Sequence, residues 1–592
     1  MKDRTEDRLA DFTRDSRVLI LSLMAAVVGV MSAFVAVALV WLINLITNLA
    51  FYQQLSGEFQ SPSGNHLQWL VVIVPALGGI LIGLMARFGS EKIRGHGIPE
   101  ALEAILYGNS RMDLKVAILK PISSAISIGT GGPFGAEGPI IMTGGAFGSL
   151  FAQLFHLSSA ERKTLLVAGA AAGMSAIFAT PIAAVLLAVE LLLFEWKPRS
   201  FIPVAIASLV AGSLRVPLLG GGPIFTTASF GAPDMEVMLA ALVVGLVAGA
   251  GSTILTTLVY LFEDLFGKLP IHWMWWPVLG GIGVGLGGLY DPRVLGVGYD
   301  IIRSLLRGEV IGGLLLSLLV GKALVWSFSL GSGTSGGVLA PLLIIGGALG
   351  ALTSRWIPVG NSGLWALVGM AAMMGGTMRS PLTAIMFALE LTHQVNILPA
   401  LLVACVVAYA FTVLVLRRSI LTEKVARRGF HVSREYSVDP LEVLRVEDVM
   451  DIEVQSVDSE MKVSELSDKI AAGDAGVTRH NGLMIVDAGG KLVGIITRGD
   501  VLRALERDED VNVLEAGTGD LIVAHPDEIL RDAAHRMLSG DVGRLPVVSR
   551  MDPNRVVGYL GRPAVLSARK QRMAEEHDRA GWLGARFSPD TL

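Results

Sequence analysis

Charge is scarce in this sequence: only 17% of its 592 residues are charged, against roughly 25% in a typical soluble domain. Cysteine is almost absent, and the single Cys405 lies in an apolar run, which excludes a disulfide framework and a cysteine-rich metal site. The net charge of −4 shows no basic excess for nucleic acid. No small-residue cleavage site follows the first apolar run, so we expect no cleavable signal peptide.

Apolar residues and glycine are abundant instead. The chain is 52% hydrophobic and contains 69 glycines, and its mean hydropathy is +0.59. Of the 100 charged residues, 53 lie in residues 421–592. This distribution predicts a membrane part of about 420 residues followed by a water-soluble part of about 170.

Five apolar runs are long enough to span a bilayer as helices: Val18–Leu49, Leu67–Met85, Leu165–Phe194, Val237–Phe262 and Pro381–Leu416. The shorter apolar pieces Ile140–Phe155 and Leu342–Leu352 are interrupted by glycine and proline. Irregular backbone at membrane depth is tolerated only around a cavity or a protein core. Broken helices of this kind therefore indicate an ion or solute site.

The membrane part contains an internal repeat. Gly129–Phe155 aligns with Gly331–Ile357 at an offset of 202 residues, and Lys120 aligns with Lys322 at the same offset. Further on, Pro181–Glu190 aligns with Pro381–Glu390 at an offset of 200. Two such halves are typical of inverted-repeat transporters, which hold their substrate near the midplane.

Four charged residues belong to these matched segments. Glu190 and Glu390 end matched apolar runs, where we expect a structural role at a repeat interface or a C-terminal turn. For Lys120 and Lys322 two interpretations stay open: they supply positive potential to an anion pathway, or they extend to a membrane interface.

Three glycine clusters share one design: Gly95–Glu100, Gly135–Pro139 and Gly336–Pro341. In each, glycines precede a proline and an apolar helical run, which is typical of a helix N-terminus approached closely by a ligand. Free N–H groups and the positive end of the helix dipole then face an anion. Several such N-termini meeting at the midplane predict a site for a small anion.

Glu137 is an isolated carboxylate within the second cluster. Intramembrane carboxylates are costly and usually functional. As an anion, Glu137 would occupy the substrate's own site and leave it when protonated, which makes it a gate coupled to protons. The alternative is a carboxylate that caps its own helix.

The three clusters resemble the signatures of the CLC family of chloride channels and chloride/proton antiporters, usually G-S-G-I-P, G-[KR]-E-G-P and G-x-F-x-P. The resemblance implies a multi-span α-helical membrane protein with inverted-topology repeats and broken helices, and a homodimer with one anion pathway per subunit. It assigns Glu137 as the gate. The positions that it places around the anion are His96, Gly97, Ile98, Pro99, Ala136, Gly138, Val338, Leu339, Ala340 and Leu421.

Several of these positions depart from the family pattern. His96 stands in place of a serine, Ala136 in place of a basic residue, Leu339 in place of a phenylalanine and Leu421 in place of a tyrosine. Leu191 occupies the position of the antiporters' internal proton-transfer glutamate. We therefore expect a voltage- or proton-gated chloride channel. The alternatives are a chloride/proton antiporter and a member selective for another anion such as nitrate. We also expect His96 to make conduction pH-dependent.

The charged part resembles a pair of cystathionine-β-synthase-type (CBS) modules with α/β structure. Strands are predicted at Leu483–Val486 and Val493–Ile496, in a first module that Leu444–Met450 opens. The resemblance places Thr497 and Asp500 against an adenine nucleotide, with a purely structural dimerisation plate as the alternative. No other cofactor and no metal is expected.

The predicted organisation is an N-terminal segment (1–16), a transmembrane domain (17–420, with repeats about 17–218 and 235–416), a linker (421–442), two CBS modules (443–507 and 516–568) and a tail (569–592). We expect the inner (plasma) membrane as the location, with both termini cytoplasmic. A CBS-regulated magnesium channel would need carboxylates along its pore, whereas the repeat core offers mainly Glu137. An intramembrane enzyme would need a motif such as H-E-x-x-H or a nucleophile with a base, and neither is evident.

Overall fold

The computed structural model describes residues 17–430, 441, 444–507 and 511–567. The chain divides into two compact units, Met1–Arg434 and Glu435–Leu592. The predicted N-terminal segment (1–16), the tail (569–592) and most of the second half of the linker lie outside the described residues.

The first repeat of the membrane unit is helical. Its helices are α1 (Arg17–Tyr52), α2 (Ile73–Phe88), α3 (Ile98–Leu106), α4 (Leu114–Gly129), α5 (Glu137–Gln153), α6 (Ser159–Phe178), α7 (Pro181–Leu187) and α8 (Pro198–Leu219). A π-helical turn, Ala188–Leu193, continues α7.

The second repeat follows the same order. Its helices are α9 (Met235–Gly267), α10 (Trp276–Tyr290), α11 (Tyr299–Leu306), α12 (Gly313–Gly331), α13 (Leu339–Thr353), α14 (Ser362–Met378), α15 (Pro381–Thr392), α16 (Leu398–Val415) and α17 (Ile420–Arg427). Across the described residues of both repeats, 6 helical stretches are long and apolar enough to span a membrane. The predicted multi-span helical fold is confirmed.

Two predicted spans are wrong as single helices. The run Leu165–Phe194 breaks after Phe178, where Ala179 takes a left-handed conformation (φ 54°) and Pro181 starts α7. The run Pro381–Leu416 breaks at His393 (φ 57°), and α16 starts at Leu398. Proline cannot donate the backbone hydrogen bond that would continue a helix, and a residue in the left-handed conformation ends a helix.

Two spans were missed by the sequence analysis, Pro198–Leu219 and Gly313–Gly331. The first contains internal prolines and Arg215, and the second contains Lys322. These residues interrupt the two apolar runs, so each run looks too short in the sequence to span a bilayer. Lys322 nevertheless lies inside the protein, where it is fully buried.

The two repeats meet at Gly135 and Gly337, which are 202 residues apart in the sequence and form an antiparallel bridge. The Gly337 amide donates to the Gly135 carbonyl at 2.9 Å, and the reverse bond is 3.4 Å. Because matched residues pair with each other in antiparallel fashion, the repeats are related by a local two-fold axis through this bridge.

The second unit is α/β. It contains β1 (Ser456–Asp458), α18 (Val463–Ala471), α19 (Ala475–Thr478), β2 (Gly482–Val486), β3 (Leu492–Thr497), α20 (Arg498–Glu506), α21 (Val513–Ala516), α22 (Leu530–Ser539), β4 (Arg544–Val548) and β5 (Val556–Gly561). The sheets have the orders β1-β2-β3 and β4-β5.

The two modules of this unit exchange their leading segments. Val446, expected to open the first module, is buried in the core of the second together with Leu530 and Leu545. Conversely, Val513 is buried in the core of the first module with Leu483. Each module is therefore completed by the segment that precedes the other.

Candidate functional site

The N-termini of α3, α5 and α13 come together because their glycines permit contact between backbones. A Cβ atom on Gly138 would lie 2.0 Å from the His96 carbonyl oxygen, and one on Gly337 would lie 2.5 Å from the Gly135 oxygen. Gly97 has a φ of 89°, which L side chains rarely adopt. The three clusters singled out in the sequence thus form one site.

Glu137 is fully buried in this site. Its Oε1 accepts a hydrogen bond from the Ala340 amide at 3.0 Å. Its Oε2 has no hydrogen-bond partner among the described residues. The carboxylate therefore reaches across the two-fold axis to the first turn of α13, the position that suits an anion.

The residues expected around the anion are buried at this junction. These are His96, Gly97, Ile98, Pro99, Ala136, Gly138, Val338, Leu339 and Ala340. The Gly97 amide, however, donates to Glu100 Oε2 at 3.1 Å. That N–H is therefore committed to a capping contact, and the first turn of α3 presents Ile98 as its next donor.

Glu100 connects α3 to α17. Its Oε1 pairs with Arg428 at 2.9 Å and with Lys424 at 3.7 Å. Glu103, one turn further along α3, also pairs with Arg428, at 2.6 Å. Sequence reasoning missed this cluster because its members are more than 300 residues apart.

His96 is 3% exposed. Its Nδ1 has no hydrogen-bond partner among the described residues. The surrounding charged groups are Glu100, Lys120, Lys424 and Arg428. An imidazole with a free ring nitrogen thus stands beside the α3 N-terminus, where the resemblance leads one to expect a hydroxyl.

Leu421 is fully buried in the first turn of α17. A phenol from α9 contacts this turn: the Tyr260 hydroxyl donates to the Ile420 carbonyl. Tyr260 is 5% exposed, and the Arg427 guanidinium lies 4.7 Å from its ring centre. The start of α17 is therefore fixed by a tyrosine from another helix, which the sequence did not reveal.

Lys120 and Lys322 are both fully buried, so the interpretation that they extend to a membrane interface is wrong. The Lys120 amine donates to the carbonyls of Ile93 and Gly95 at 2.8 and 2.7 Å and to Ser335 Oγ at 3.0 Å. The Lys322 amine donates to the matched carbonyls of Val294 and Gly296, both at 2.9 Å. Each lysine holds the loop before a broken helix, α3 or α11.

Glu190 and Glu390 form reciprocal caps across the repeats. Glu190 accepts from the amides of Leu382 and Thr383 at 3.1 and 2.8 Å. Glu390 accepts from the amides of Ile182 and Ala183 at 2.9 and 2.8 Å. Each carboxylate therefore satisfies the first turn of the other repeat's helix, α15 or α7.

Two cavities lie in this region. One of about 490 Å³ includes Arg94, Gly333 and Lys424 in its lining and borders the charged cluster of Glu103 and Arg428. A smaller one of about 60 Å³ is bordered by Ala136 and Tyr299. Tyr299 starts α11, the repeat mate of α3, and the matching run Gly296-Val297-Gly298 was a sequence signal that could have revealed it.

In the second unit, Thr497 and Asp500 bind each other. The Thr497 hydroxyl donates to Asp500 Oδ2 at 2.6 Å, and the Asp500 amide donates back at 3.3 Å. This arrangement caps α20. A nucleotide that used these two side chains would compete with the cap.

Comparison with known families and proteins places this geometry in context. The family model described as "Voltage gated chloride channel" matches residues 77–413, and the model described as "CBS domain" matches residues 446–507 and 514–570. The voltage-gated ClC-type chloride channel ClcB of Citrobacter koseri is 31% identical over 397 residues, which cover 65% of this chain and 94% of the relative. ClcB of Escherichia coli O81 is 30% identical over 420 residues, covering 69% and 99%.

Solved structures share the fold at lower identity. A slow cyanobacterial Cl⁻/H⁺ antiporter is 23% identical with a TM-score of 0.60, covering 70% of this chain and 99% of that one. A eukaryotic CLC transporter is 18% identical with a TM-score of 0.58, covering 92% and 98%. A CLC-type fluoride/proton antiporter is 20% identical with a TM-score of 0.60, covering 68% and 97%.

Proposed function

The chain belongs to the CLC family of voltage-gated chloride channels and related antiporters and carries a C-terminal CBS pair, and we propose that it is a chloride channel gated by Glu137. Members of this family transport ions and are not enzymes. The observation that carries the proposal is the Glu137 carboxylate bound at the N-terminus of α13, where it occupies an anion's place. Protonation or displacement of Glu137 would free that place for chloride.

The region around Leu191 supports passive conduction over exchange. Leu191 is fully buried and apolar, and it stands where the resemblance expects an internal proton-transfer carboxylate. The adjacent Glu190 is committed to the α15 amides and to the Thr383 hydroxyl. Neither position offers an uncommitted carboxylate to carry protons towards Glu137.

Flux from proteoliposomes tests this proposal. A chloride gradient should drive chloride movement without uphill proton movement, and Glu137→Gln should raise the chloride flux and flatten its pH dependence. Leu191→Glu is the matched variant, because it places a carboxylate where the resemblance expects the internal proton-transfer group. Stoichiometric uphill proton transport by the unmodified protein would refute the channel and favour the antiporter.

His96 favours a second candidate, a channel that prefers another anion such as nitrate. Its free Nδ1 changes the hydrogen-bonding groups beside the α3 N-terminus. Relative permeabilities of nitrate and chloride in reconstituted protein, compared with His96→Ser, distinguish the two. The same variant tests whether His96 contributes to pH dependence: an unchanged pH profile would remove that role.

We further propose that the protein acts as a homodimer with one pathway per subunit, in the inner membrane with both termini cytoplasmic. The CBS pair is proposed to bind an adenine nucleotide at Thr497 and Asp500. Calorimetric titration of the full chain with ATP and AMP tests this, with Asp500→Asn as the variant. Absence of binding heat would leave the pair a dimerisation plate.

A further inference from the structure

Arg87 and His272 form an unusual contact at the ends of two membrane-spanning helices. Arg87 lies in the last turn of α2, and His272 follows the end of α9 by five residues and precedes the short turn Trp273–Trp275. Arg87 Nη1 lies 2.6 Å from His272 Nε2 and 3.4 Å from Nδ1. The Met274 amide donates to His272 Nδ1 at 3.2 Å.

Two N–H donors, from Arg87 and from the Met274 amide, approach the His272 ring, but a neutral ring can accept only one hydrogen bond. A neutral histidine has one ring N–H and one acceptor nitrogen. If Nδ1 accepts from Met274, then Nε2 carries the proton and its N–H faces the N–H of Arg87. If Nε2 accepts instead, the conflict moves to Met274, and a protonated ring meets donors on both sides. Both side chains are exposed, so they can separate to admit an anionic oxygen, which would accept from both and remove the conflict.

No described carboxylate compensates this positive charge. Among the described residues, no acidic side chain forms an ion pair with Arg87, with His272 or with Lys268 at the end of α9. Asp264, one turn before Lys268 on α9, pairs with Arg427 instead. The contact therefore has the charge and the unsatisfied donors of an anion site without an internal counter-ion.

The surroundings are apolar, aromatic and exposed. Phe88 is 77% exposed, Trp275 46% and Ile271 40%. Tryptophan beside basic residues at the end of a span is typical of the headgroup region of a bilayer. Basic pockets between spanning helices bind anionic lipid headgroups, and the arginine fork suits phosphate oxygens.

We propose that Arg87 and His272 bind the phosphodiester group of an anionic phospholipid. The phosphate oxygens accept from Arg87 and from the His272 ring N–H, while the acyl chains lie against Phe88 and Trp275. The readout of its test is lipid-dependent thermal stability, so the test does not depend on ion flux or on the proposed channel function.

Thermal unfolding of the full chain in detergent tests this assignment. Dihexanoyl-phosphatidylglycerol should raise the Tm of the wild type by several degrees, and dihexanoyl-phosphatidylcholine should not. Arg87→Gln and His272→Gln should lose most of this rise. Arg111→Gln, at an exposed arginine of the α3–α4 loop, should keep it.

Arg87→Lys is the control for a folding defect. It keeps the positive charge, so it should retain part of the rise in Tm. An equal rise in Arg87→Gln, His272→Gln and Arg111→Gln would overturn the site. Inorganic phosphate producing the same rise as phosphatidylglycerol would overturn the lipid as its occupant.

Discussion

The substitution Lys120→Met tests how the loop before α3 is held. It removes three hydrogen bonds of 2.7–3.0 Å, to Ile93, Gly95 and Ser335. Hydrogen bonds to a charged group contribute about 1.5–3 kcal/mol each, and buried acceptors left without a donor add a penalty. Because methionine also removes a buried charge, we expect a net loss of about 3 kcal/mol in the free energy of unfolding.

Chemical denaturation in detergent, followed by tryptophan fluorescence, measures this loss. Lys322→Met is the matched control: its amine makes two such bonds, so its loss should be smaller by about 1 kcal/mol. Ser335→Ala combined with Lys120→Met should show a coupling of about 1 kcal/mol. If Lys120→Met unfolds like the wild type, or if its cycle with Ser335→Ala is additive, the lysine does not hold the loop and this reasoning fails.

Three further predictions address the packing, the caps and the second unit. Gly138→Ala should abolish chloride flux, because its Cβ would meet the His96 carbonyl oxygen at 2.0 Å, whereas Gly313→Ala, with open space around it, should retain flux in the same vesicles. Glu390→Gln should lower the free energy of unfolding by about 1–2 kcal/mol, because one of two α7 amides loses its charged acceptor; equal denaturation curves would contradict the cap. Burial lowers the pKa of His480 below its ordinary value of 6.5, so the folded chain binds this proton less readily than the unfolded chain does. Stability is then present above pH 6.5 and falls as the pH drops below it. Hydrogen exchange of the β2 and β5 amides in the full chain, corrected for intrinsic rates, should rise between pH 7.5 and pH 5.5, and His480→Gln should remove the difference.

The parts of the fold that sequence could reveal depend on local backbone chemistry. Gly97 lies two residues before Pro99, and Gly138 directly precedes Pro139. Glycine shortly before proline favours a helix start in a way that needs no tertiary information. The repeat was equally visible because matched residues keep a spacing of 202 or 200 residues. The breaks at Ala179 and His393 could not be predicted, because neither alanine nor histidine indicates a left-handed backbone conformation.

The contacts that sequence could not reveal join distant segments across the two-fold axis. Ser335 accepts from Lys120, 215 residues away, and nothing near either residue signals the other. Glu190 and Glu390 were recognisable as a matched pair, yet each binds the other repeat's helix instead of its own. The exchange of leading segments between the CBS modules has the same origin: a local pattern gives an element's type but not its partner.

The local symmetry also explains why one carboxylate suffices for the gating that we propose. Glu137 and Leu339 are matched positions, 202 residues apart, at the first residues of α5 and α13. A second acid at position 339 would bring two carboxylates to the Gly135–Gly337 bridge, where like charges repel and one would be protonated. With no acid, the α13 N-terminus would stay open to an anion at all times. In the gating that we propose, a single acid at these two matched positions gives an anion site that its own carboxylate closes and that opens when the carboxylate leaves.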